Sequence, residues 1–200
     1  MLTNNPLILA SGSASRAMLL QNAGIPFRKI PSAVDEDEIK DSCLARGFTP
    51  KAVALKLAEA KAESVSLSNT GLVLGADQVL QLENDLISKS PDMNAARDLL
   101  KRMSGKIHYL HAAMALYENG QLIWSQVDTA EMSVRTLSND FIDAYLNEAG
   151  DKLLKTVGNY MLEGSGIHLF NSIRGDYFTV LGLPMLPLLG KLRQLEVIPA

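Results

Sequence analysis

The chain has a single cysteine, Cys43, so no intrachain disulfide can form and a thiolate zinc cluster is excluded. It also lacks a surplus of positive charge: 19 Lys and Arg stand against 22 Asp and Glu, a formal net of −3. That balance argues against a general nucleic-acid binder or a partner of anionic membranes, while leaving room for a phosphate ligand, which needs only a few local cations. No apolar run approaches the roughly 18 residues of a membrane span. The opening segment MLTNNPLILAS has neither a basic start nor a long apolar stretch, so it does not read as a secretory signal, and the expected location is the cytoplasm. Internal repeats, linkers and low-complexity tracts are missing too, and the P-loop spacing G-x-x-x-x-G-K-[ST] occurs nowhere.

What is present is 200 residues, about one domain's worth, with 47% apolar and 20% charged residues, the composition of an ordinary folded chain. Pro6–Ala10 is a short apolar run that stops at Ser11-Gly12-Ser13-Ala14-Ser15-Arg16, with Ser13 suited to cap a following helix and Gly24 to end it. The acidic run Asp35–Glu38 sits in a stretch without a clean period and reads as a solvated face. Thr49-Pro50 opens a helix to about Ser66. Leu72–Leu74 predicts a strand ending at Gly75-Ala76-Asp77, followed by a hairpin around Glu83-Asn84-Asp85. Ser90-Pro91-Asp92 starts a helix to Met103. Asn119-Gly120, between two long apolar segments, is the strongest hairpin signal. Ser138 caps a helix to Gly150; strands are expected around Gly166–Ile173 and Phe178–Leu181, and a last helix from Leu183-Pro184. Interleaved helices and strands with long hairpins favour an α/β fold with a mixed sheet, two lobes around one cleft, and no division into independent domains.

Three features carry chemistry, and a fourth candidate does not. The loop Ser11–Arg16 would present backbone N–H groups, three hydroxyls and a guanidinium at a helix start, which suits an anion; a plain strand-to-helix turn is the competing reading. Lys61 falls in the apolar arc of its helix, among Val53, Ala54, Leu57 and Val65, so its ammonium must snorkel, pair with a carboxylate or meet a ligand anion. Asp77, at the end of an apolar strand, suits a metal or a general base, or bonds its own turn. His108 and His111 at i, i+3 on a strand make a poor metal pair. Together these suggest a metal-assisted phosphate site.

The strings LASGSASR, Asp35-Glu36, AKA around Lys61, GADQV, Glu163-Gly164 and GDYFTVLGLP resemble, in order, the Maf family of nucleoside triphosphate pyrophosphatases, from residue 7 to about 192. The resemblance implies a single Maf/ITPase-like domain over residues 1–200, with an elongated mixed sheet flanked by helices. It implies hydrolysis of a nucleoside triphosphate to monophosphate and pyrophosphate, a divalent metal (Mg²⁺ or Mn²⁺), frequent homodimers and a housecleaning role. Residue by residue, Ser11, Ser13, Arg16, Lys61 and Lys89 match phosphate-binding positions, Asp77 the catalytic base, and Glu36 with Asp77 the metal-holding acids. Lys89 precedes Ser90-Pro91, one residue longer than the family's K-P string. Ser15, Gln78 and Glu163 stand where the dTTP/UTP branch has Arg, Thr and Gln, and the last two are similar to the branch acting on 7-methyl-GTP. A carboxylate at 163 can accept from N1–H and the exocyclic amine of guanine, a donor pair no pyrimidine offers. The alternative function is a nucleotide-binding regulator of septum formation that acts without turnover.

Overall fold

The computed structural model describes residues 7–199; the segment 1–6, which enters the reading of the amino terminus, and residue 200 lie outside the described residues. The elements are β1 (Leu7–Leu9), α1 (Ala14–Asn22), β2 (Phe27–Lys29), α2 (Glu36–Ala45), α3 (Pro50–Ser66), β3 (Leu72–Leu82), β4 (Asp85–Ile87), α4 (Met93–Met103), β5 (Ile107–Glu118), β6 (Gln121–Val134), α5 (Asn139–Ala149), β7 (Phe170–Arg174), α6 (Tyr177–Val180) and α7 (Met185–Gln194), with short 3-10 turns at Gly150–Lys155 and Ser165–Leu169. The seven strands form one sheet in the order β2-β1-β3-β5-β6-β7, with β4 beside β3. It is mixed: β2, β1 and β3 run parallel, while β3/β4 and β6/β7 are antiparallel. Among the described residues no helix is long and apolar enough to cross a membrane.

Two compact units emerge. The first comprises the chain up to Gln78, His111–Asp128 and everything from Asp176; the second is Val79–Leu110 with Thr129–Gly175. In the first, Leu7 and Leu9 of β1, Leu74 and Ala76 of β3, and Met114 and Leu116 of β5 meet Leu19 and Leu20 of α1 and Leu188 and Leu192 of α7 in a solvent-free core. All three residues of β1 are buried, as a strand paired on both sides in a parallel array should be.

Local signals explain most boundaries. Ser13, Thr49 and Ser138 cap α1, α3 and α5 through their hydroxyls, and Pro50 sits in the first turn of α3. Asn119 and Gly120 take positive φ values of 51° and 75°, the conformation a two-residue primed turn requires between β5 and β6.

Three elements differ from expectation. The strand expected to end at Gly75–Asp77 runs on as the eleven-residue β3. Gly75 marks no turn there. A Cβ at Gly75 would come within 2.6 Å of the Ala62 amide nitrogen, so the glycine lets the backbone of α3 lie against the strand. The acidic run is exposed, as a solvated face should be, but it also opens a helix that the sequence pattern did not signal: Asp35 caps α2, accepting from the N–H groups of Asp37 and Glu38, and the acids behind it fill the first turn, where the helix dipole favours them. Phe178–Leu181, read as strand, is the short helix α6, because Asp176 caps it by accepting from the Thr179 N–H at 3.1 Å.

Candidate active site

The pleat of β3 organises the site. Gly75 and Asp77 are two residues apart and share a face, the face on which α3 lies. Gly75 permits that close approach, so Lys61, one turn along α3 from Ala58, arrives at Asp77: Nζ donates to Oδ1 at 2.6 Å. Lys61 is buried, as its place in the apolar arc predicted, and of the three sequence-based alternatives the pairing with carboxylates is realised. The same Nζ reaches Glu36 Oε1 at 2.8 Å, the first residue of α2. Asp77 and Lys61 side chains are 9% and 7% exposed, Glu36 46%, so the triad is buried on one side and open on the other. Asp77 Oδ2 has no hydrogen-bond donor among the described residues, which leaves one lone-pair-bearing oxygen for a water or a ligand.

The loop after β1 supplies the second half. Ser11 Oγ accepts from the Ser13 N–H at 3.3 Å and from Arg16 Nη1 at 2.9 Å; Ser13 Oγ accepts from the Arg16 N–H at 3.3 Å. Arg16 is itself buried and pinned at three points: Nη1 also donates to Ala76 O at 2.9 Å, and Nε to Gly182 O at 2.9 Å. Burial pushes its guanidinium pKa down, against the upward pull of the Asp77 and Glu36 charges. Its Nη2 group has no hydrogen-bond acceptor among the described residues and is the donor edge left for an anion. Ser15, on the first turn of α1, is half-buried.

Gln78 lies in this neighbourhood, but both of its amide N–H bonds go to backbone carbonyls, Thr179 O at 2.8 Å and Val180 O at 3.1 Å. The segment GDYFTVLGLP thus acts as a frame. Asp176 caps α6, α6 offers its carbonyls to Gln78, and Gly182, at φ 90°, turns its carbonyl to Arg16. Sequence reasoning missed Asp176 and the carbonyls of Ala76 and Gly182. The Asp176-x-x-Thr179 cap spacing was the readable signal for the first, and nothing in the sequence marks a backbone carbonyl.

Lys89 and Glu163 belong to the second unit, and both are exposed. Ser90, next to Lys89, donates through Oγ to Oδ1 of the buried Asn159 at 2.6 Å. Glu163 sits in a turn closed by Gly164 N–H to Met161 O at 3.2 Å, and a Cβ at Gly166 would crowd Met161 N at 2.9 Å, so the loop cannot be rebuilt with a larger residue there. His108 in this unit is fully buried with Nε2 2.8 Å from Tyr160 Oη, and burial lowers its pKa to about 4. It is a packed, neutral imidazole.

Among the described residues no three His, Cys, Asp or Glu side chains gather at one point, so a divalent cation here would have two carboxylates and take its other ligands from phosphate and water. That is how Mg²⁺ is commonly held. Asp77 and Glu36 fit the requirement: hard oxygen donors that already converge on one cation, the Lys61 ammonium.

Comparison with known proteins places nearly the whole chain among relatives named for nucleotide hydrolysis. The family model described as Maf-like protein matches residues 6–195. A 7-methyl-GTP pyrophosphatase of Rhizobium meliloti is 48% identical over 195 residues, 97% of this chain and 98% of that protein. A nucleoside triphosphate pyrophosphatase of Rhodopseudomonas palustris is 49% identical over 96% of this chain and 95% of that protein. Another of that name, from Caulobacter vibrioides, is 45% identical over 94% of each.

Proposed function

The chain belongs to the Maf family, and from that premise we propose that it is a hydrolase converting nucleoside triphosphates to nucleoside monophosphate and pyrophosphate, with a lean to 7-methyl-GTP. The observation that carries the chemistry is Asp77: a buried carboxylate with one oxygen held by Lys61 and the other without a donor among the described residues, in the same unit as the Arg16 Nη2 edge that has no acceptor among them. Similar proteins named for the 7-methyl-GTP reaction support the base preference. A regulator that binds without turnover is not favoured, since it has no use for a carboxylate poised in this way.

In the reaction, Asp77 Oδ2 accepts a proton from water as the water oxygen bonds to the α-phosphorus. The bond from that phosphorus to the bridging oxygen breaks, and pyrophosphate leaves with the electron pair. Lys61 keeps Asp77 oriented and, with Glu36, fixes the acid pair. Arg16 Nη2 and the Ser11 and Ser13 hydroxyls hold phosphate oxygens, and Lys89 adds a further cation. A divalent cation held by Asp77 and Glu36 supplies charge neutralisation on the phosphates when bound. Ser15, Gln78 and Glu163 set the base preference in this reading, Glu163 by accepting from guanine and Gln78 by holding α6 in place. We take residues 1–200 as one functional domain working in the cytoplasm.

Phosphorus NMR of reactions with 7-methyl-GTP, GTP, UTP and dTTP in Mg²⁺ tests the proposal. Monophosphate and pyrophosphate are expected, fastest from 7-methyl-GTP. Release of orthophosphate, or binding without turnover, would overturn the assignment.

A further inference from the structure

Lys29 closes the three-residue strand β2 and pairs in register with Leu9, the last residue of β1. It therefore stands at the carboxyl edge of the parallel strands, where ligands of open α/β sheets bind, beside the strand that leads into the Ser11–Arg16 loop. Alternation puts Lys29 on the same face as Phe27, which packs against the core of α1 and α7 side chains, and puts Arg28 on the other. From there Lys29 Nζ reaches into the loop itself and donates to Gly12 O at 2.8 Å. Its two other N–H bonds have no acceptor among the described residues, and the residue is exposed.

The charge of the site gives this lysine a purpose. In the first unit, two cations, Arg16 and Lys61, face two carboxylates, Asp77 and Glu36, a formal balance of zero. Without a bound divalent cation these four groups carry no surplus positive charge to meet a triphosphate, whose three phosphates carry about four negative charges at neutral pH given a last phosphate pKa near 6. Lys29 adds a positive charge at Gly12, the residue between Ser11 and Ser13 in the loop.

We propose that Lys29 is a further phosphate-contacting residue: anchored on Gly12 O, it directs its remaining N–H bonds to the polyphosphate tail of the substrate. The proposal rests on the pyrophosphatase reading for its substrate but is tested apart from turnover. Inorganic tripolyphosphate is titrated calorimetrically into the full chain carrying Lys29→Gln, Lys29→Arg or Arg28→Gln, with KM and kcat for UTP measured alongside.

Lys29→Gln is expected to weaken tripolyphosphate binding about tenfold and raise KM by a similar factor with kcat within twofold. Lys29→Arg restores most of both, and Arg28→Gln, on the other face, changes neither by more than twofold. The melting temperature without ligand should stay within about 2 °C, because the side chain is exposed. Tripolyphosphate affinity of Lys29→Gln within twofold of wild type would overturn the role of Lys29, and a lowered melting temperature with unchanged affinity would reduce the residue to a prop for the Gly12 carbonyl. Wild-type protein that binds tripolyphosphate through Lys29 yet releases no pyrophosphate from any nucleotide would uphold the contact and overturn the enzymatic reading instead.

Discussion

Lys61 Nζ and Asp77 Oδ1 are 2.6 Å apart, joined across the contact of α3 with β3 that Gly75 makes possible. Each side chain is less than a tenth exposed, so each charge depends on the other. Removing one partner of such a pair commonly costs about 3–5 kcal/mol, because the survivor is stranded out of water. Asp77→Asn keeps the shape and leaves Lys61 its second partner, Glu36. The variant should fold, melt within several degrees of wild type and lose at least about a hundredfold in kcat. Near-normal kcat would remove Asp77 from the role of base. Lys61→Met, which leaves two carboxylates facing each other, should lower the melting temperature more than Asp77→Asn does.

Arg16 is the second test, since three of its N–H bonds are fixed by Ser11, Ala76 and Gly182 and Nη2 remains for phosphate. Lysine keeps the charge but cannot span these acceptors with a planar fork. Arg16→Lys should raise KM at least about tenfold and lower the melting temperature as well. A variant with wild-type KM would show that Arg16 is only a strut.

The packing of α3 on β3 predicts a large effect from one methyl group. Gly75→Ala puts a Cβ against the backbone of α3 at Ala58 and Ala62, which no side-chain rotation can relieve. Overpacking of well-packed cores commonly costs about 1–3 kcal/mol, and a backbone clash belongs at or above the top of that range. Chemical denaturation should show it, together with a loss of activity larger than the fraction unfolded, because Lys61 is displaced from Asp77.

The site was partly legible in the sequence. Lys61 stood out because a lysine in an apolar helical arc needs a partner, and Ser13 and Arg16 because small polar residues after an apolar run mark a helix start. The extent of β3 was not legible: Gly75 looks like a turn until α3 is laid against it, a contact between residues 13 to 17 positions apart. The helix α2 was hidden because only Cys43 of its ten residues is buried, so its apolar period is too weak to read. Gln78 was readable as a position of the Maf pattern, but not as a donor to the carbonyls of α6, about a hundred residues away.

The buried His108 gives the fold an acid sensitivity. Its ordinary pKa of 6.5 falls to about 4 in the folded protein, because burial disfavours the imidazolium. Between those values the unfolded chain binds a proton that the native state refuses, so stability is present above pH 6.5 and is lost as pH falls towards 4, by up to roughly 3 kcal/mol. His108→Gln removes this term. Wild type should be the more stable at pH 7, and the gap in melting temperature should narrow or reverse by pH 4.5. A constant gap would show that His108 does not carry the effect.

Glu163 is tested by selectivity rather than rate. A carboxylate sets one acceptor oxygen against each of the two guanine donors, whereas a glutamine in the same pose turns its NH2 donor towards one of them, and bonds involving a charged group contribute about 1.5–3 kcal/mol each. Glu163→Gln should lower the ratio of kcat/KM for 7-methyl-GTP over UTP by about tenfold or more. An unchanged ratio would place base recognition elsewhere.

The most direct measurement of the central claim is hydrolysis of 7-methyl-GTP in ¹⁸O-labelled water, with the products separated and weighed by mass spectrometry. Attack on the α-phosphorus by a water that Asp77 deprotonates predicts one labelled oxygen in the monophosphate and none in the pyrophosphate, at a rate that collapses in Asp77→Asn. Label in the pyrophosphate, or in released orthophosphate, would contradict it.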